Sequence, residues 1–286
     1  HTRRTAAPQN PDRSGGLSPA FSFLPGKEKT PMQIFDSHAH YDANDFRADR
    51  EEVVASLPDK GVCGIINCGA SMQGCYDSIA LAEGYPHVYT AVGLHPEDLL
   101  DAPQDWLKQV EQLLSHPKAV AVGEIGLDYY WKENAPREVQ QAAFAAQMEL
   151  AAAHDLPVII HDRDAHGDTM ELLRRHRPRG VLHCFSGSVE MMREAVSLGL
   201  YIGLGGAVTF KNARVPLEVA REVPLDRLLT ETDCPYMAPV PFRGKRCDST
   251  MIAYTAAKIA EVRGITAAEV LEAGVRNARE LFGISG

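Results

Sequence analysis

Eight short apolar segments recur along the chain, separated by stretches with the periodicity of amphipathic helices. Most of the apolar segments are continuous rather than alternating, which is typical of parallel strands buried on both faces. Between them, residues 47–60 and 136–154 carry apolar side chains at helical spacing, and residues 250–282 predict closing helices. Strands alternating with helices in this way predict an α/β fold, the (β/α)8 TIM barrel. The predicted strands are residues 34–36, 62–67, 88–94, 120–127, 157–161, 181–185, 200–204 and 228–232.

A doubly wound open sheet is the alternative fold. Such a sheet usually has a glycine-rich loop after its first strand, whereas residues 36–40 here read Asp-Ser-His-Ala-His. We predict a single hydrolase domain over residues 32–286, which is long enough for one large barrel. Residues 1–31 are rich in Pro, Ser, Gly and Arg without periodicity, and are predicted to be a disordered extension or an expression remnant.

Charge and composition narrow the class of protein. The formal net charge of -9 argues against a broad basic surface for nucleic acid, so any DNA contact must be local. The sequence has no long apolar run and no export signal, so we expect a cytoplasmic protein without a membrane partner. None of the six cysteines forms a CxxC pair, which favours free thiols. No obligate protein partner is inferred.

Side chains that can bind metal lie where five of the predicted strands end, the position of catalytic groups in a TIM barrel. Two imidazoles spaced two residues apart share one strand face, although an isolated pair is explained equally well as polar loop residues. A lone histidine after an apolar run is more often a hydrogen-bonded core residue than a ligand. A buried carboxylate without a partner is costly, however, and the combination predicts a metal site. Its predicted ligands are His38, His40, Glu124, His161, His183 and Asp233.

Four imidazoles and two carboxylates exceed the three protein ligands that one catalytic ion usually takes. The set therefore predicts two divalent metal ions that share one carboxylate, and Glu124 on the fourth strand is the predicted bridge. Because no cysteine belongs to the set, Mg²⁺, Mn²⁺, Zn²⁺ and iron all stay open. Two divalent ions against two carboxylates leave a charge of about +2, which favours a phosphate substrate.

Seven motifs resemble the TatD-like metal-dependent deoxyribonucleases of the amidohydrolase superfamily, and the resemblance covers residues 32–282. It implies a TIM barrel, divalent metals and hydrolysis of phosphodiester bonds in DNA, often as a 3′-to-5′ exonuclease on single strands or ends. The six predicted ligands match the family's metal positions, whereas residues 247–249 read Cys-Asp-Ser where the family tends to have Asn-Glu-Pro. The motifs are residues 35–40 (FDSHAH), 93–98 (GLHPED), 122–128 (VGEIGLD), 160–163 (IHDR), 182–187 (LHCFSG), 231–236 (ETDCPY) and 241–246 (PFRGKR).

The predicted catalytic residues are Glu124, which bridges the ions, and Asp233, which holds the attacking water and accepts its proton. Arg163 lies two residues past His161 and is predicted to reach a phosphate, with an ion pair to a neighbouring aspartate as the alternative. His95 is predicted to contact substrate or to cap the turn that follows it.

Two further groups carry both a substrate-binding and a structural interpretation. The cationic cluster Arg243, Lys245 and Arg246 is predicted to contact phosphate, with a solvated loop as the alternative. The aromatic residues at 129–131 either stack on a base or only pack against the protein.

Two other functions are weighed against the nuclease. A D-aminoacyl-tRNA deacylase, or another ester or amide hydrolase of the amidohydrolase superfamily, is the first. Many amidohydrolases bridge their metals with a modified lysine on strand four, and Glu124 in that place counts against them. A non-catalytic metal-binding scaffold is the second, and the presence of all six ligands counts against it.

Overall fold

In the computed structural model, residues 32–285 are described, and the segment predicted to be disordered, residues 1–31, lies outside them. Eight strands pair in chain order, each parallel to the next. A parallel bridge between Ala39 and Cys234 joins the first strand to the segment after the last one, which closes the sheet. The strands are β1 (Ile34–Ala39), β2 (Val62–Cys68), β3 (Val88–Val92), β4 (Ala119–Asp128), β5 (Val158–Arg163), β6 (Gly180–Leu182), β7 (Tyr201–Leu204) and β8 (Leu228–Thr230).

An α-helix follows every strand, and one more helix completes the described part of the chain. The α-helices are α1 (Arg50–Ser56), α2 (Met72–Gly84), α3 (Trp106–Leu113), α4 (Arg137–Ala153), α5 (His166–His176), α6 (Val189–Ser197), α7 (Arg214–Glu222), α8 (Ile252–Arg263) and α9 (Ala267–Phe282). Short 3₁₀ helices span Asn44–Phe46, Pro58–Lys60, Pro96–Asp101, Gly206–Thr209, Leu225–Arg227 and Ser249–Met251. The predicted (β/α)8 barrel is confirmed.

Three strands, β3, β6 and β8, end earlier than the sequence predicts, and for β6 and β8 the backbone gives the reason. The chain leaves the ladder after β6 at Cys184, whose φ is 43°, and after β8 near Asp233, whose φ is 61°. Left-handed backbone cannot continue a strand, so His183 and Asp233 lie on loops just past their strands. The first helix is also shorter than predicted, because Pro58 starts a separate 3₁₀ turn.

The core has two parts. One cluster of buried side chains packs helices against strands, and a second takes side chains from all eight strands and from α9. Ile159 and Val181 belong to the second cluster, and His161 and His183 each follow one of them by two residues. Because side chains alternate along a strand, both imidazoles point to the same side as this layer, toward the barrel interior at its carboxyl end.

Local sequence signals fix several helix starts. Ser71 and Ser188 cap α2 and α6 through hydroxyl groups that accept from the third backbone N–H of the helix. Thr266 and Glu269 form a reciprocal capping box at the start of α9. Among the described residues, no helix combines the length and hydrophobicity needed to cross a bilayer.

Candidate metal centre

All six predicted ligands converge at the carboxyl ends of the strands. Groups of three side chains bring a ligand atom each within 4.8 Å of one another, and every group draws on Glu124 or on the pair of histidines from β1. His38 and Glu124 are almost fully buried, whereas Asp233 keeps 21% of its side chain exposed. The groups are His38 with Glu124 and His183, His38 with His40 and Asp233, and His95 with Glu124 and His161.

One oxygen of Glu124 faces the histidines of the β1 end. Glu124 Oε2 lies 3.3 Å from His38 Nε2 and 3.4 Å from His40 Nε2. Asp233 Oδ1 lies 3.6 and 3.5 Å from the same two nitrogens, which are themselves 2.9 Å apart. Of these four side chains, Asp233 is the most exposed, at 21%.

The other oxygen of Glu124 faces a separate set of imidazoles. Glu124 Oε1 lies 2.8 Å from His183 Nε2 and 3.0 Å from His161 Nδ1. His95 Nε2 lies 3.7 Å from the same oxygen. A single buried carboxylate thus points its two oxygens at two different groups of nitrogen ligands.

The donor set fits divalent cations. An ion with bonds of about 2.0–2.2 Å to nitrogen and oxygen holds ligand atoms about 3.0–3.5 Å apart, close to the separations on both sides of Glu124. Nitrogen and carboxylate ligands without thiolate suit Zn²⁺, Mn²⁺ and related ions. His38, His40 and Asp233 could hold one ion and His161 and His183 another, with Glu124 shared.

Glu124 is a buried carboxylate surrounded by histidines, which can carry positive charge. Burial raises the pKa of Glu124, but His183, His38 and His95 outweigh it and hold that pKa well below its ordinary value. For His161, burial lowers the pKa, yet hydrogen bonds to Asp128 and Glu124 raise it to about 9. The carboxylate is therefore ionised at neutral pH and available as a bridge.

Two ligands are held in orientation by groups that the sequence did not reveal as functional. Asp128 Oδ2 lies 3.0 Å from His161 Nε2, so that Nδ1 faces Glu124. His40 Nδ1 lies 2.9 Å from the Cys68 carbonyl oxygen. These contacts fix which ring nitrogen faces the centre.

Glu231 lies next to a third ligand, His183, but is not within hydrogen-bond distance of it. One of its oxygens lies 3.7 Å from His183 Nδ1 and accepts a short hydrogen bond from the Cys184 N–H. Gly203 makes room for this carboxylate, because a Cβ at that position would overlap it. The spacing carried a signal for both acids, since Asp128 is four residues past Glu124 and Glu231 two residues before Asp233.

Asp36, on β1, is hydrogen-bonded to the segments that follow β8. Its carboxylate accepts hydrogen bonds from the Thr232 N–H and hydroxyl and from the Ser249 hydroxyl, at 3.0, 2.6 and 2.7 Å. Burial raises the pKa of Asp36 to about 7. Ser249 lies in the segment that departs from the family pattern, and here its hydroxyl supports the β1 and β8 ends.

The predicted substrate-binding residues are placed in different ways. His95 is buried, and its Nδ1 accepts from the Glu97 N–H, which caps the turn, while Nε2 faces Glu124. Its contact with substrate stays a prediction. The alternative ion pair of Arg163 does not form with any described residue, since Asp162 contacts His166 at 2.7 Å instead.

The basic loop contributes no side chain to the ligand groups. Arg246 donates to both carboxylate oxygens of Asp49 at 2.7 and 2.6 Å, so it reaches a phosphate only by breaking that ion pair. Arg243 stacks over the ring of Phe210 at 3.7 Å. Lys245 is exposed and forms no ion pair with the residues that the structure describes.

Comparison with known proteins identifies the family. The family described as TatD related DNase matches residues 35–283. The metal-dependent hydrolase YabD of Bacillus subtilis is 40% identical over 255 residues, which cover 88% of this chain and all of YabD. A protein of Escherichia fergusonii named 3′-5′ ssDNA/RNA exonuclease TatD is 34% identical, covering 88% of this chain and all of the relative.

A solved structure supports the same assignment. The crystal structure of YjjV, a TatD homologue from Escherichia coli, superimposes with a TM-score of 0.83 at 36% identity, covering 89% of this chain and 99% of YjjV. Fold and sequence therefore agree. The chain belongs to the TatD family of metal-dependent hydrolases.

Proposed function

We propose that this hydrolase is a deoxyribonuclease that cleaves phosphodiester bonds with two divalent cations, which the two sets of histidines, Asp233 and a shared Glu124 would hold. The observation that carries the proposal is the division of the imidazoles into two sets, with His38 and His40 on Oε2 and His161 and His183 on Oε1. Paired ions that share a carboxylate are a recurrent arrangement for phosphoryl chemistry.

The charge of the site explains how a protein with net charge -9 attracts a polyanion. Two divalent ions contribute +4 and the carboxylates of Glu124 and Asp233 contribute -2, which leaves about +2 at the barrel mouth. When bound, such ions lower the pKa of water and neutralise charge on phosphoryl oxygens. This local attraction removes the need for a broad basic surface.

The side chains of the protein have separate parts in the reaction. Asp233 is the more exposed carboxylate, at 21% against 6% for Glu124, so it can contact the attacking water and accept its proton. Arg163 and Lys245 contribute positive charge for the phosphates of the nucleic acid. His95 contributes a hydrogen-bond donor close to the metal centre. Arg243 and Arg246 can contact those phosphates only after they lose their contacts with Phe210 and Asp49.

Single-stranded DNA, attacked from the 3′ end, is the proposed substrate. The name of the E. fergusonii relative, which includes both ssDNA and RNA, supports this choice. End-labelled DNA and RNA strands separate the two nucleic acids and the direction of attack. Label at the 5′ end should yield a ladder of shortening products, whereas label at the 3′ end should appear first as mononucleotide.

The variant Glu124→Gln tests the role of the bridge. With Mn²⁺ or Mg²⁺ present, we expect cleavage to fall by at least about 1,000-fold and the bound Mn²⁺ to drop below two ions per chain in metal analysis. Glu218→Gln, in an exposed ion pair with Arg214, is the control and should keep full activity.

Two results would contradict the proposal. One is undiminished cleavage by Glu124→Gln. The other is hydrolysis of D-aminoacyl-tRNA, or of an ester or amide, by a protein that leaves every nucleic acid intact. The second result would keep the metal-dependent hydrolase and replace the nuclease with the alternative activity.

A further inference from the structure

Two aromatic side chains stand exposed at the carboxyl end of β4. Tyr130 and Trp131 have 49% and 45% of their surface accessible, although large aromatic residues are usually well buried. Their rings meet edge to face with centroids 4.8 Å apart. Tyr129, by contrast, packs against the core. Of the three neighbouring aromatic residues, only one is therefore explained by packing.

The guanidinium group of Arg163 packs against this pair of rings. The guanidinium carbon of Arg163 lies 3.9 Å from the ring centroid of Tyr130 and 5.4 Å from that of Trp131. The arginine thus covers one face of Tyr130, and its side chain forms no ion pair within residues 32–285. A stacked guanidinium keeps its N–H donors in its own plane, where a phosphate can accept from them.

The aromatic pair is coupled to the metal centre through one carboxylate. Asp128 Oδ1 accepts from the backbone N–H groups of Tyr130 and Trp131 at 3.0 and 3.3 Å, while Oδ2 contacts His161. Asp128 also pairs with Arg163 in the register of β4 and β5. The rings, the cation and a predicted metal ligand are therefore positioned by the same buried residue.

We propose that Trp131, supported by Tyr130, is a stacking platform for one unpaired base of a single-stranded nucleic acid, with Arg163 contacting a phosphate beside that base. The inference rests on the proposed function and names the residues that recognise the single-stranded substrate. Every base has a face that can stack on an aromatic ring, and every base adjoins a phosphate. A duplex conceals those faces in its own base stack, so the platform favours single strands.

Equilibrium binding tests the platform without relying on turnover. Fluorescence anisotropy would be measured with a labelled single-stranded phosphorothioate oligonucleotide, which resists cleavage, and with its duplex. We expect Trp131→Ala to weaken single-strand binding by about 5- to 100-fold, the range for loss of one base stack, and to leave duplex binding unchanged. Trp131→Phe keeps an aromatic face and should lose less than about threefold.

Tyr76→Ala is the matched control, because Tyr76 is an exposed aromatic residue, at 46%, on α2. It should bind like the unmodified protein. A set of oligonucleotides with one abasic site at successive positions then locates the stacked base. At that position the unmodified protein should lose the same affinity that Trp131→Ala loses, and Trp131→Ala should lose nothing further.

Arg163→Gln separates the phosphate contact from the stack. Each phosphate contact on a single strand contributes a slope of about -0.7 in the logarithm of affinity against the logarithm of salt concentration. We expect Arg163→Gln to reduce the slope by that amount and Trp131→Ala to leave it unchanged.

The outcomes separate this inference from the proposed function. Tight binding and cleavage of single strands by Trp131→Ala, equal to those of Tyr76→Ala, would overturn the platform and leave the nuclease intact. An equal loss on single strands and duplex would also overturn it. A protein that neither binds nor cleaves any nucleic acid would remove both proposals.

Discussion

Asp128→Asn is the most informative single change, because it keeps the shape of the side chain and changes only its charge and its hydrogen-bonding groups. Asp128 is completely buried, and its carboxylate can only accept hydrogen bonds. His161 therefore donates from Nε2, at 3.0 Å, and presents the unprotonated Nδ1 to a cation beside Glu124. That orientation and tautomer are what a metal ligand requires.

The amide of asparagine conflicts with this arrangement in either orientation. The Oδ1 position accepts from two backbone N–H groups, those of Tyr130 and Trp131. The amide oxygen must stay there, because the NH₂ group would otherwise face two donors. The NH₂ group then donates to His161 Nε2, which moves the ring proton to Nδ1 and removes the lone pair from the site.

The expected loss follows from this argument. Removal of a group that orients a metal-binding histidine typically costs 10- to 100-fold in metal affinity, about 1.4–2.7 kcal/mol. Only the affinity for the ion on the Oε1 side of Glu124 should fall. Titration calorimetry with Mn²⁺ would show one site of unchanged affinity and one weakened site.

Asp162→Asn, on the neighbouring strand β5, is the matched control. It removes a carboxylate of similar geometry, 2.7 Å from His166 Nδ1, outside the ligand groups. Its Mn²⁺ isotherm should overlay that of the unmodified protein. If Asp128→Asn, folded and equally stable, binds both ions with unchanged affinity, the tautomer argument is refuted.

Four further predictions concern stability and catalysis. Gly126→Ala should lower the free energy of unfolding in urea by about 3 kcal/mol, because φ is 147° and a Cβ would overlap the His161 carbonyl oxygen; a loss below about 1 kcal/mol would contradict this. Phe144→Ala, at 1% exposure, should cost about 3–5 kcal/mol, and Val139→Ala, 46% exposed on the same helix, less than about 0.5 kcal/mol. Mn²⁺ at 100 times its dissociation constant should stabilise the fold by about 2.7 kcal/mol per site in thermal scans, and EDTA should reverse this. Asp233→Asn should lower kcat by about 100- to 10,000-fold with little change in oligonucleotide affinity, and equal losses in both would argue for a binding role alone.

The barrel and its ligand set were accessible from the sequence because both depend on local periodicity. Continuous apolar runs identify strands buried on both faces, and the polar residues that end those runs lie on one rim of a closed parallel sheet. His161 and His183 each follow an apolar run, and the prediction that they converge with Glu124 required only the barrel topology. The family motifs added the expectation of a nucleic-acid substrate, which periodicity cannot supply.

The partners of individual side chains depended on contacts between segments far apart in the chain. Sequence spacing could not show that the two oxygens of Glu124 divide the imidazoles into two sets. Nor could it show that Asp128 and the Cys68 carbonyl orient the rings of His161 and His40. Arg246, predicted to contact phosphate or to lie in a solvated loop, pairs with Asp49, about 200 positions earlier in the chain. Strand periodicity is a property of neighbouring residues, whereas ring orientation and ion pairing follow from how loops approach one another once the core has packed, and only the tertiary structure decides that.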